Sequence, residues 1–173
     1  MPKSQKQVKF ETELVMSTSG SGWHFLLVTG DIVAKLGFDG KYRRVVCSIN
    51  DGEAFQCALL PWGELFYIIV NQKKRIGLAA GDMVKVLFVK DESKYGLPLP
   101  EEFEEVLKQD LEGDKLFHAL TAGKQRSILY QLSKPKDIDI RIHQALLIVD
   151  HLKENGGKII DKLLYEELKR PMF

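Results

Sequence analysis

Few side chains in this 173-residue sequence have the types and spacing that metal chemistry requires. The four histidines are His24, His118, His143 and His151, and none belongs to an HExxH motif. His143 and His151 could share a helix face, but their separation is about 12 Å along an α-helix, too far for one ion. The two cysteines do not form a CxxC motif. We therefore expect neither a metal site nor a cofactor.

Two further patterns resemble catalytic motifs but have simpler explanations. The segment 20–22 ("GSG") lacks both the GK[ST] ending of a phosphate loop and the full GxSxG spacing, so a hairpin turn explains it better. Four acids, Glu101, Glu102, Glu104 and Glu105, have the charge bias that favours the start of a helix. We interpret them as a solvated helix face. No catalytic motif is readable, and we predict that the protein is not an enzyme.

Basic and aromatic side chains in the first half are the first candidates for binding. They are Arg43, Arg44, Lys74, Arg75 and Trp23. Basic groups beside aromatic rings can bind an anionic or stacked ligand. A solvated strand end and a tight turn would explain the same residues without a function.

Two arginines in the second half are further candidates, because each lies in a mainly apolar helical stretch. Arg126 is found in "GKQRSILYQL" and Arg141 in "DIDIRIHQALLIV". An arginine in such a place usually binds a carboxylate or a helix end. One interpretation is an internal bridge to Asp137, Asp139 or the acidic first helix. The other is an anion or partner site.

Composition excludes several classes of protein. With 45% apolar and 28% charged residues, the chain can bury a core, unlike a disordered segment. Its 25 basic and 24 acidic residues give a net charge of +1, which excludes a polybasic binder. No apolar run has signal-peptide or membrane-spanning length. Cys47 and Cys57 lie in apolar runs, which indicates free thiols, and we expect a cytoplasmic protein without membrane contact.

The first 93 residues have the pattern of about six strands with short helices, which predicts a small β-barrel. Apolar and polar residues alternate from Val8 to Met16, as in a strand with one buried face. Asp31 can cap a short helix that ends at Gly37. Pro61 and Gly63 are expected to break the chain before the apolar strand "LFYIIV".

A tight hairpin is predicted at Asp51 and Gly52, since an Asp-Gly pair between apolar runs favours a two-residue loop. This register places Cys47 opposite Gln56. Cys47 and Cys57 would then point to opposite faces of the ribbon, and no disulfide could join them.

The pattern changes to helical spacing after Ser93. Pro100 suits the first position of a helix, and acids follow it in the first turn. Further helices are expected at about 115–120, 124–133, 138–154 and 159–169. We therefore predict a barrel domain at 1–93 and a helical segment at 94–173.

Three segments of the first half resemble a known family: "RRVVCSINDGEAFQCALLP", "YIIVNQKKR" and "GLAAGDMVKVLFVKDES". They are similar to a bacterial domain of unknown function that forms a small double-split barrel. The fold of that barrel resembles those of the AbrB and MazE transcriptional regulators. The matching positions include Gly81 and Asp82, which we expect to define a turn.

The second half resembles the YdeI/OmpD-associated segment, also called bacteriocin-protection-like, that often follows this barrel. The resemblance is carried by "YGLPLPEEFEEVL", "FHALTAGKQRSILYQL" and "KDIDIRIHQALLIVDHL". Pro100, Arg126 and Arg141 lie at matching positions. The family name links such proteins to stress or bacteriocin protection, which the resemblance implies without naming an activity.

These observations predict a cytoplasmic, non-enzymatic binding or interaction module, either monomeric or homodimeric, that binds an unknown protein or a small anionic ligand. Two alternatives stay open. One is a small anionic-ligand-binding protein or enzyme with a pocket between barrel and helices, where Arg126 or Arg141 orients the anionic group. The other is AbrB-like DNA binding, which the near balance of charges disfavours.

Overall fold

A computed structural model of the protein describes residues 6–39 and 43–171. The chain divides into two compact units between Glu92 and Ser93, a β-barrel and then a group of helices. Each unit has its own hydrophobic core. Within the described residues, no helix combines the length and the apolar character needed to cross a bilayer.

Over its described residues, the barrel unit is a seven-stranded antiparallel sheet, curled into a nearly closed barrel. Its strands are β1 (Gln7–Met16), β2 (His24–Val28), β3 (Arg44–Ile49), β4 (Phe55–Ala58), β5 (Leu60–Trp62), β6 (Leu65–Ile69) and β7 (Met83–Lys90). Their order in the sheet is β4-β3-β7-β1-β2-β6-β5. β1 pairs first with β7 and then with β2, and β4 also contacts β6, so the sheet curves back on itself.

The burial of β1 confirms the alternation that predicted a strand. Val8 and Leu14 are buried inside the barrel, whereas Lys9 and Glu11 are exposed. Side chains that alternate in this way place one face of every strand in a common core. The predicted combination of a β-barrel and a helical extension is therefore confirmed.

The predicted register of the β3–β4 hairpin is wrong by one residue. Asn50 and Asp51, and not Asp51 and Gly52, take the left-handed conformation, with φ angles of 50° and 59°. Asn50 is fixed there because its backbone N–H donates to the Lys85 carbonyl and its Oδ1 accepts from the Lys85 N–H, both at 2.8 Å. Gly52 N–H then donates to the Ile49 carbonyl at 2.9 Å.

This register reverses the prediction for the two thiols. Cys47 pairs with Phe55, and Cys57 pairs with Val45, so both thiols lie on the same face of the hairpin. They are free thiols, with Cys47 buried and Cys57 half-buried. A hydrogen bond with the Cys57 thiol, together with burial, raises the pKa of Cys47. Cys47 is therefore part of the barrel core.

Two local predictions for the barrel also need correction. Gly63, at φ 60°, lies in the turn before the apolar strand β6, as predicted. Pro61 does not break the chain there but lies inside β5, a three-residue strand at the edge of the sheet, where a missing N–H is tolerated. With this strand, the described part of the barrel has seven strands, where about six were predicted. The N-cap of the short helix α1 (Gly30–Leu36) is Thr29 and not Asp31, while Gly37 ends it at φ 67° as predicted.

The helical unit contains α2 (Glu101–Gln109), α3 (Leu111–Ala119), α4 (Ala122–Ser133), α5 (Ile138–Glu154) and α6 (Asp161–Glu167). The bounds of α5 agree with the predicted helix. α3 begins earlier than predicted because the Asp110 side chain accepts from the Gly113 N–H at 2.8 Å and so caps it. Pro100 is the N-cap of α2 and not its first helical residue.

The core of the helical unit is built from α2, α3, α4 and α5. The Phe103 and Phe117 rings pack edge to face, with centroids 4.9 Å apart. His151 is fully buried: its Nε2 accepts from the Ile160 N–H at 3.0 Å, so its Nδ1 carries the proton and donates to Glu167 at 2.8 Å. His151 therefore connects α5 to α6 and has a structural role.

Candidate functional site

An open groove between α2 and α5 is the candidate functional site, with a cavity volume of about 700 Å³. Its apolar floor is formed by Ile138, Ile142 and Leu146 of α5 and by Val106 of α2. Ile138 and Leu146 are 56% and 48% exposed. α5 therefore has two apolar faces, one in the core and one at the surface. Exposed apolar surface of this kind, rimmed by polar groups, marks binding sites.

Acidic side chains line the rim of this groove. They are Glu101, Glu102, Glu105 and Asp110, and Gln109 is the remaining polar residue of the lining. No lysine or arginine belongs to the lining. The chain as a whole has a net charge of only +1, so this local group of acids is not apparent from the overall charge.

Two of the four rim acids already have a cationic partner. Glu102 accepts from Nε and a terminal nitrogen of Arg141 at 3.1 and 2.9 Å. Asp110 accepts from Lys153 Nζ at 2.6 Å, and this hydrogen bond, with that from the Gly113 N–H, lowers the pKa of Asp110.

The other two acids remain available. Glu105 accepts a hydrogen bond from Gln109 Nε2 at 2.7 Å. Across the described ranges, neither Glu101 nor Glu105 has a cation within ion-pair distance. The groove thus offers an apolar floor and two unneutralised carboxylates.

Arg141 forms the internal bridge to the acidic first helix that was one of its two interpretations. Besides Glu102, it donates to the Pro135 carbonyl at 3.3 Å. It also lines a cavity of about 410 Å³ together with Tyr130, Ser133 and the segment 97–102. The paired Glu102 and the neighbouring Glu101 line this cavity too, so its charge does not favour an anion.

Arg126 differs from Arg141. It is half-buried, and in the described part of the chain its guanidinium has neither a hydrogen bond nor an ion pair. One side of α4 presents Arg126, Tyr130 and Ser133 in succession. Tyr130 and Ser133 line the cavity beside Arg141, but Arg126 does not. The structure therefore does not bring the two arginines into one site.

Two of the four basic candidates of the barrel lie against aromatic rings. The Arg43 guanidinium carbon lies 5.2 Å from the centre of the Phe66 ring, and Lys74 Nζ lies 5.0 Å from that of Phe55. Arg44 is half-buried at the start of β3. These contacts are within the range of cation–π interactions.

Trp23 and Arg75 are brought together by the fold. They line one small cavity of about 180 Å³ with Ser21, His24 and Asn71. Trp23 is 52% exposed, and Arg75 donates to the Val70 carbonyl at 3.0 Å. No carboxylate belongs to this lining.

Sequence reasoning missed a chain of hydrogen bonds through His118. Its Nδ1 lies 2.9 Å from the Asp114 carbonyl and 3.0 Å from its carboxylate, and its Nε2 lies 2.7 Å from the Tyr95 hydroxyl. The i,i+4 spacing of Asp114 and His118 was a readable signal, but Tyr95 is too distant in sequence. None of the three side chains lines one of the cavities described above, so we assign them a packing role.

Sequence reasoning also missed the groove, because the rim acids were interpreted as a solvated helix face. The i,i+4,i+8 spacing of Ile138, Ile142 and Leu146 was the available signal. Among the described residues, no three His, Cys, Asp or Glu side chains are grouped so that they could hold a metal ion.

Comparison with known families gives two matches along the chain. Residues 10–88 match the family model described as a domain of unknown function, DUF1905. Residues 97–155, from just before α2 to the end of α5, match the model described as "Bacteriocin-protection, YdeI or OmpD-Associated". No curated protein shows a significant match to the chain.

Proposed function

We propose that this chain, which combines a DUF1905 domain with a segment of the Bacteriocin-protection, YdeI or OmpD-Associated family, is a protein-interaction module and not an enzyme. The observation that carries the proposal is the groove between α2 and α5. Its floor exposes isoleucine and leucine side chains from three successive turns of one helix. Burial of these side chains by a partner would be favourable.

The composition of the groove supports a protein partner over a small substrate. A protein interface typically has an apolar centre and a polar rim, and the floor and rim acids follow that arrangement. A catalytic site would instead require a nucleophile or an acid–base pair directed into the cavity. The rim acids engage Arg141, Lys153 and Gln109 or face the solvent.

The proposal also includes a cellular role and a location. Protection against bacteriocins enters it only through the description of the matched family. A cytoplasmic location enters it because a reducing compartment suits the free thiols of Cys47 and Cys57.

Site-specific photocrosslinking tests the proposal. Benzoylphenylalanine replaces Leu146 in the full chain, and a control chain carries it at Ile76, an 82% exposed residue of the barrel. After irradiation in the producing cells, we expect an adduct of discrete higher mass from position 146 only. The second substitution Ile142→Gln should remove this adduct. Identical adducts from both positions, or none from 146, would refute the proposed function.

A second candidate function is the binding of a small planar anion to the barrel. It is favoured by the cavity that contains both Trp23 and Arg75 without a carboxylate, since the indole can stack and the guanidinium can pair with an anion. Benzoate added to a Trp62→Phe chain should quench Trp23 fluorescence, and Arg75→Met should abolish the quenching. Equal quenching in both chains would exclude this candidate.

DNA binding of the AbrB type ranks below both candidates. Arg43 and Lys74 lie over aromatic rings, and Arg75 donates to a backbone carbonyl. Several phosphate contacts would need such side chains directed at the DNA backbone. A salt-sensitive complex with duplex DNA at low ionic strength would reverse this ranking.

A further inference from the structure

We infer that the partner of the α2–α5 groove is a basic amphipathic helix, an inference that rests on the proposed function and names the class of partner. The inference depends on two independent features of the groove, the shape of its floor and the charge of its rim.

The floor has the dimensions for a helix. Ile138, Ile142 and Leu146 are spaced four residues apart, so they form a stripe of about 12 Å along α5. Apolar residues at positions i, i+4 and i+7 of a bound helix cover about the same length. The walls of the groove belong to two helices, which is the arrangement that receives a third helix in a bundle.

The negative charge of the rim favours a basic partner helix. Glu101 and Glu105 are four residues apart on α2, so their carboxylates project from the same side about one turn apart. Lysines or arginines with the same spacing on the flank of a partner helix could pair with both. Glu102 and Asp110 are already neutralised by Arg141 and Lys153 and would serve as the polar border.

The same charges disfavour other occupants. An acidic helix would place its carboxylates next to Glu101 and Glu105 without a cation in the lining to compensate. An anionic membrane surface would be repelled for the same reason.

The test uses three synthetic peptides of about 18 residues, which is long enough for partial helix formation in water. One carries leucine at helical i,i+3,i+4,i+7 spacing, with lysine at the flanking positions and on the opposite face. The second has the same leucines with glutamate in place of lysine. The third has the composition of the first in an order that destroys amphipathicity. Each is labelled with fluorescein and titrated with the full chain, and fluorescence anisotropy is measured.

Matched variants separate the two features. Glu101→Gln with Glu105→Gln removes the free rim charges, and Glu53→Gln with Glu154→Gln removes two exposed acids that do not line the groove. Leu146→Gln removes part of the floor, and Ile76→Gln is its exposed control. All four changes are at surface positions, and thermal unfolding checks that each chain folds.

We expect the lysine peptide to bind best. The rim variant should weaken binding about three- to tenfold, as for two screened ion pairs, and added salt should reduce that difference. Leu146→Gln should weaken binding about tenfold, and both controls should leave it unchanged.

Two results would overturn the inference in distinguishable ways. If the glutamate peptide binds as well as the lysine peptide and Leu146→Gln still weakens it, the basic partner is wrong and the interaction site stands. If no peptide binds, or Leu146→Gln changes nothing, the proposed function fails at this groove as well.

Discussion

Asp110 connects three helices of the unit that contains the groove. It lies between α2 and α3, caps α3 through the Gly113 N–H, and accepts from Lys153 of α5 at 2.6 Å. The Lys153 hydrogen bond contributes most to lowering the pKa of Asp110 below its ordinary 3.8, and the hydrogen bond to Asp110 raises the pKa of Lys153 above 10.5. Both shifts are in the direction that favours the charged pair in the folded state.

The pair should therefore stabilise the protein over a defined pH range. Because the pKa of Asp110 is lowered, its contribution is present above pH 3.8 and is lost as the pH falls through the folded-state value. The contribution of Lys153 is present below pH 10.5 and is lost as the pH rises through its raised value.

Lys153→Met should lower the midpoint of thermal unfolding near neutral pH, and the loss should shrink in strong acid. The control is Lys108→Met, which removes an exposed i,i+4 pair with Glu104 at 3.5 Å and should have little effect. An unfolding midpoint of Lys153→Met that differs from the parent by the same amount at every pH would contradict this account.

The helical unit that contains the groove also contains a close approach of α3 to α5. A Cβ atom at Gly113 would collide with Cγ1 of Val149, a fully packed core side chain, and would lie 3.2 Å from Cγ of Asp110. Only glycine allows the two helices to lie this close. This requirement is invisible in sequence, where a glycine inside a helix indicates only a loss of stability.

Gly113→Ala should destabilise the protein by about 1–3 kcal/mol in denaturant unfolding, because overpacking outweighs the gain in helix propensity. Gly123→Ala in α4, where a Cβ meets nothing within 4 Å, is the matched control and should stabilise by about 0.4–1 kcal/mol. Adding Val149→Ala should reduce the loss caused by Gly113→Ala. Equal stabilisation by both alanines would show that α3 and α5 are not so close.

The β3–β4 hairpin shows why strands were predicted more reliably than their register. Alternation of apolar residues identified both strands, but Asn50-Asp51 and Asp51-Gly52 are both acceptable turn pairs. The choice between them is made by Lys85 of β7, which pairs with Asn50. A contact between residues so far apart in sequence has no local signal, and a shift of one residue reversed the predicted orientation of the thiols.

At the scale of the whole molecule, sequence was sufficient for the architecture and insufficient for the site. Strand alternation and helical spacing predicted a barrel followed by helices, and the family resemblance is confirmed over 10–88 and 97–155. The rim acids and the α5 isoleucines were each visible, but only tertiary packing places them in one groove. A net charge of +1 likewise conceals the local excess of acids.

Amide correlation NMR tests most directly whether α2 and α5 form the binding surface. The ¹⁵N-labelled full chain is titrated with the lysine–leucine peptide. We predict that the largest shifts fall on residues 101–110 and 138–146, with the barrel amides nearly unchanged. The Leu146→Gln chain should lose these shifts. Shifts confined to the barrel, or an unchanged spectrum at saturating peptide, would contradict the account.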